Sequence, residues 1–94
     1  MIGITLAWIR GRYLSHMFFV CILQSICGAH FNTGLTEDLE TRIAAHNRGQ
    51  VRHTSKFRPW RVRTYVVFDE RNRAVQFERY LKSGSGRAFA MKRL

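Results

Sequence analysis

The chain has 94 residues, 46% hydrophobic and 13% aromatic, which excludes a disordered polymer and leaves room for one small domain with a modest core. Sixteen Lys and Arg against six Asp and Glu give a net charge of +10, and thirteen of the sixteen cations are Arg. Guanidinium grips phosphate through paired hydrogen bonds, so this excess points to a polyanionic partner, nucleic acid first, with a merely solubilising surface as the bland alternative.

Residues 1–16 stand apart. Met1 to Ile9 is largely apolar, and Arg10 and Arg12 follow it. A secretory signal carries its charge before the apolar run, and a membrane helix needs roughly 20 apolar residues, so neither is expected here. The segment reads as an appended arm or a start-site artefact, with an organelle-targeting peptide as the alternative. The domain proper is expected over 17–94. Met17 to Leu23 is a continuous apolar run of strand length, the pattern of a strand buried on both faces. Gln24 to His30, with Gly28, is a turn, and Phe31 to Leu35 a second strand antiparallel to the first. Thr36 is expected to cap a helix whose first turn holds Glu37, Asp38 and Glu40, where the helix dipole favours negative charge. Leu39, Ile43 and Ala44 mark its apolar face, and Asn47-Arg48-Gly49 ends it.

Arg48 to Arg63 is the most basic stretch, with Arg48, Arg52, Lys56, Arg58, Arg61 and Arg63 and no acid. His53, Phe57 and Trp60 are interleaved. Phe57 and Trp60 could stack on bases, but Trp60, between Pro59 and a strand, reads as core. Pro59 bars a helix through the segment. Val62 to Phe68 alternates as a third strand. Asp69 is expected to cap a second helix with Ala74, Phe77, Glu78 and Leu81 close to one face. Ser83-Gly84-Ser85-Gly86 breaks it, and Ser85 is expected to cap a short basic helix. The order β-β-α-β-α-α is a small α+β domain, a three-stranded antiparallel sheet flanked by helices. The two cysteines, Cys21 and Cys27, make no closed zinc set even with His30, and no disulfide framework, so a reducing cytoplasm is the default. No membrane and no small-molecule cofactor are called for.

Five runs in order carry a resemblance: Phe18-Phe19-Val20-Cys21-Ile22-Leu23-Gln24-Ser25; Phe31 through Glu40, with Asn32-Thr33-Gly34; Arg42-Ile43-Ala44-Ala45-His46-Asn47; His53-Thr54-Ser55-Lys56 through Pro59-Trp60; and Phe77-Glu78-Arg79-Tyr80-Leu81-Lys82-Ser83. From Met17 onward the chain resembles the GIY-YIG nuclease superfamily. Within it, the chain is similar to small stand-alone bacterial members related to the N-terminal endonuclease domain of UvrC. The resemblance implies a DNA endonuclease with one divalent ion, Mg²⁺ or Mn²⁺. In such enzymes two strand tyrosines help to activate water, a helix arginine steadies the scissile phosphate, and a glutamate holds the metal. Arg42 matches that arginine, Glu78 that metal glutamate, and Gly34 the glycine of the second motif, where the backbone must stay clear of substrate. His46 matches a helix position that is often histidine in the small relatives. Arg48, Arg52, Lys56, Arg58, Arg61, Lys82 and Arg87 are the expected contacts to DNA.

The tyrosine positions hold Cys21 and Asn32 instead. Asn32 cannot accept a proton at neutral pH, and a thiolate seldom acts as a base towards water. His46 or His30 could substitute as base. Two readings stay open: an endonuclease with reduced or lost activity, or a nucleic-acid-binding module on the same fold. The plain alternatives are surface pairs, Arg42 with Asp38 and Glu78 with Lys82, both at i,i+4. A basic RNA- or ribosome-associated protein is a third, more distant reading.

Overall fold

The computed structural model describes residues 7–9, 12–14 and 16–94; the expected status of residues 1–16 otherwise lies outside the described residues. Two short strands, β1 (Ala7–Ile9) and β2 (Arg12–Leu14), pair antiparallel as a ribbon of their own.

The main sheet is built from β3 (Phe18–Ser25), β4 (Phe31–Thr36) and β5 (Trp60–Phe68), in the order β4-β3-β5 and antiparallel throughout. Helix α1 (Leu39–Asn47) and a 3-10 segment (Arg52–Phe57) lie between β4 and β5, and α2 (Arg71–Leu81) and α3 (Gly84–Arg93) follow. This is the α+β arrangement the sequence predicts. The 3-10 segment was not foreseen; it stops two residues short of Pro59, which removes a donor from any longer helix.

β3 is central, so both its faces are covered, and that explains its unbroken apolar run. Its side chains alternate between two clusters. Val20 and Ile22 pack with Ala74 and Leu81, which brings α2 onto one face. Cys21 and Leu23 pack with Trp60, Leu39 and Ile43, which brings α1 onto the other. Trp60 is core, 4% exposed, and its indole N–H donates to the Thr54 carbonyl at 2.9 Å. Asn47 bonds both the amide and the carbonyl of Trp60, so the end of α1 is tied to the start of β5. Gly28 and Gly49 take φ of 84° and 78°, left-handed values that suit glycine in the β3–β4 turn and just past α1.

All three helix starts differ from expectation by one or two residues. Asp38, not Thr36, caps α1: its carboxylate accepts from the Thr41 amide at 3.1 Å and from the Thr41 hydroxyl at 2.8 Å. Those donors hold the Asp38 carboxyl below its ordinary range. Thr36 instead ends β4, its hydroxyl accepting from the Asp38 amide at 3.0 Å. Glu70, not Asp69, precedes α2 and makes no side-chain cap. Ala74 and Leu81 meet the sheet, and the helix starts at Arg71, two residues beyond Asp69. Ser83, not Ser85, caps α3 by accepting from the Gly86 amide at 3.1 Å. Gly86 is buried so tightly against the Tyr80 carbonyl that a Cβ there would overlap it, which pins the turn.

Candidate active site

A groove of about 540 Å³ opens where the β4, α1 and α2 elements meet. Asn32 and Gly34 come from β4, Arg42 and His46 from α1, Glu78 from α2 and Lys82 from the residue that ends it. Each pair is spaced i,i+4, so both members lie on one face one turn apart. Five of the residues expected to be catalytic or motif positions therefore line one groove. The sixth, Cys21, sits behind it, directly across the ladder from Gly34.

Arg42 reaches inward. Its Nη2 donates to Asn32 Oδ1 at 2.9 Å. The surface pair with Asp38 is not formed, because that carboxylate is engaged at the helix cap. The guanidinium crosses directly over Gly34, where a Cβ would overlap it. Gly34 is thus required to make room for Arg42, a reason the sequence reading assigned to substrate. Arg42 Nε is buried with no hydrogen-bond partner among the described residues. Cys21 is fully buried against the same guanidinium. Burial pushes its thiol pKa up, and the Arg42 charge and hydrogen bond offset that only in part. Cys21 is therefore a neutral thiol at pH 7 and no base.

His46 is 2% exposed, with Nδ1 lying 2.8 Å from Thr54 Oγ1. The Thr54 hydroxyl also lies 3.2 Å from the Val51 carbonyl. That carbonyl also accepts from the Thr54 amide at 3.2 Å, so the ring is held in place by Thr54 while the hydroxyl can donate either way. Burial first, then the positive charge of Arg42 and of nearby His53, pulls the His46 pKa down. The imidazole is neutral at pH 7.

The α2 side is built differently. Glu78 has 21% of its side chain exposed and pairs with Lys82 at 3.2 Å. The ammonium marks where a cation meets this carboxylate. Glu78 is the one carboxylate lining the groove, and no cluster of three metal-ligating side chains is found among the described residues, so a hard divalent ion held here would displace Lys82 and keep most of its waters. Arg71 and Arg79 line the same groove. Residues 71, 75, 78, 79 and 82 form a helical stripe, and that spacing was the available signal for the two arginines the sequence reading passed over.

A family model described as the GIY-YIG catalytic domain matches residues 17–92. The chain belongs to that family. Neither characterised proteins nor solved structures gave a significant match. The GIY-YIG fold is of nuclease type, its partner class is nucleic acid, and its nucleases generally use a divalent metal. No helix among the described residues is long and apolar enough to cross a membrane.

The cations expected to hold DNA divide into two groups in this GIY-YIG domain. Lys82 and Arg87 line cavities on the groove side. Arg48, Arg52, Lys56 and Arg58 are exposed on and around the 3-10 segment and do not line the groove. Arg61 is also exposed and donates to Gln24 Oε1 at 2.8 Å. His30 is stacked on Phe57 in the neighbouring cavity, away from Arg42 and Glu78. His53 lines both spaces and was not singled out as a site residue. Nor was Thr54, whose role depends on a contact eight residues back along the chain.

Proposed function

We propose that this GIY-YIG domain is a DNA endonuclease that hydrolyses a phosphodiester bond with one divalent ion, Mg²⁺ or Mn²⁺, at Glu78, and with His46 in the base role that the missing tyrosines leave open. The observation that carries this is a neutral imidazole, His46, lining one groove with Glu78 and, one helical turn away, Arg42.

In this reading Arg42 exchanges its Asn32 contact for a phosphate oxygen and neutralises charge that grows as the bond breaks. The buried, unpartnered Nε makes such an exchange favourable. His46 takes a proton from the attacking water at Nε2, while the Thr54 contact at Nδ1 holds the ring in place. Asn32 can hydrogen-bond that water but cannot deprotonate it. A divalent ion bound at Glu78 would stabilise the leaving oxygen. Arg71, Arg79 and Lys82 hold the flanking phosphates as point charges and forks, so affinity falls with salt.

A second reading is favoured by a specific observation: both tyrosine positions are tied up, Cys21 in the core and Asn32 on Arg42. There the domain binds DNA and does not cut it. A plasmid-nicking assay in Mg²⁺ separates the two. Slow nicking by the wild type, lost in Glu78→Ala and in His46→Gln while DNA affinity stays within about threefold, is the expected result. Salt-sensitive binding with no nicking in Mg²⁺ or Mn²⁺ would leave the binding module standing and remove the enzyme.

A further inference from the structure

A second cavity, of about 750 Å³, adjoins the groove and shares Asn32, Thr33, His53 and Lys82 with it. It lies between the 3-10 segment and α3, beside the start of β4. Its chemistry is unlike the groove's. His30 and Phe57 stack in it with centroids 3.7 Å apart and planes 21° from parallel. Ile22, Leu81 and Ala90, which belong to the α2 face of the sheet, give it a separate aliphatic end. Its charged members are all cationic: Arg63, Lys82 and Arg87 line it, and no Asp or Glu does so among the described residues. Arg63 reaches it because β5 is bulged there: Ile22 pairs with Thr64 but Leu23 with Val62, which leaves Arg63 over. Its guanidinium then lies 5.8 Å from the centre of the Phe31 ring, itself half exposed at 49%.

We propose that this cavity receives one unpaired nucleobase of the DNA strand whose phosphate lies in the adjoining groove, and so selects single-stranded or flapped DNA over intact duplex. The inference rests on the endonuclease reading only for where that phosphate sits. A stacked aromatic wall with cations along the same cavity matches a molecule with a planar π body and an anionic backbone. An apolar peptide would not need the three cations, and free phosphate would not need the rings. The volume falls in the range of roughly 300–1,000 Å³ for pockets that enclose a small organic group. A base in duplex is paired and stacked, so it can enter a cavity only by leaving the helix, which is least costly where it is already unpaired. Stacking on aromatic rings tolerates any base, so discrimination is by strandedness and not by sequence.

The test is fluorescence anisotropy at fixed salt with three ligands on the full chain: a single strand, an abasic strand of equal length and charge, and the duplex. The single strand should bind about tenfold more tightly than the abasic strand, the size of one base–aromatic stack. Phe57→Ala should remove most of that ratio while leaving the abasic strand unchanged. Phe57 also packs against the Trp60 cluster, so Phe31→Ala, at an exposed position, provides the same test without touching the core. Equal affinity for normal and abasic strands, or a ratio that survives both substitutions, overturns the proposal. Duplex nicking with no base-dependent affinity would sink the cavity and keep the enzyme. Base-dependent affinity with no cutting of any strand would do the reverse.

Discussion

The two sides of the groove are made by different physics. On the α1 side every functional group is held before any substrate arrives: Arg42 by Asn32 and the space above Gly34, His46 by Thr54 and burial. On the α2 side Glu78 is held by one exposed lysine, and Arg71 and Arg79 stand in solvent. Buried, hydrogen-bonded geometry is insensitive to salt and costly to disturb, whereas exposed charge is screened and cheap to disturb. Substitutions on the α1 side should therefore register first in stability, and those on the α2 side in binding and turnover alone.

The largest effect should come from the anchor of the α1 side. Trp60→Ala removes a buried ring and the bond that fixes Thr54, and should cost about 3–5 kcal/mol in urea unfolding. A cost below 1 kcal/mol would break the comparison, because the side would not depend on burial. Next is Gly34→Ala, expected to cost about 1–3 kcal/mol through collision with the guanidinium. The same substitution in an Arg42→Ala background should cost much less. Additive penalties in that double-mutant cycle would mean that Gly34 answers to something other than Arg42.

Protonation of His46 comes third. Its folded-state pKa lies below the ordinary 6.5, so the unfolded chain binds the proton more readily. The stability it contributes is fully present above about 6.5 and is lost as pH falls through the depressed folded value. The melting temperature should drop on acidification through that window, less steeply in His46→Gln. Nicking, if His46 is the base, should fall over the same range. The smallest stability effect belongs to the α2 side. Glu78→Gln removes a partly exposed i,i+4 pair and should change stability by less than about 0.5 kcal/mol while abolishing metal-dependent nicking. A stability loss several times larger would show that Glu78 is built into the fold like Arg42 and His46.

Much of this was legible without coordinates. The apolar run through β3, the alternation of β5 and the helical spacing of Leu39 with Ile43 and of Ala74 with Leu81 are local patterns, set by residues near in sequence. Trp60 as core followed from its neighbours. Arg42, His46 and Glu78 became candidates through a resemblance, and the groove brings all three together. The basic run from Arg48 to Arg58 lies outside the groove lining, because charge density along the chain says nothing about which face a cation reaches. The caps slipped from Thr36 to Asp38 and from Ser85 to Ser83, because the residue that caps is whichever one lies at the boundary once the apolar face has found the sheet.

Composition and periodicity alone determined a basic α+β domain with these strands and helices, because each depends on propensity and burial summed over a few turns. Only the tertiary structure decided that Gly34 makes room for Arg42, that Thr54 holds the His46 ring, and that an aromatic cavity opens beside the groove. Those facts depend on strand register and helix phase, which bring together side chains that no local pattern in the sequence connects.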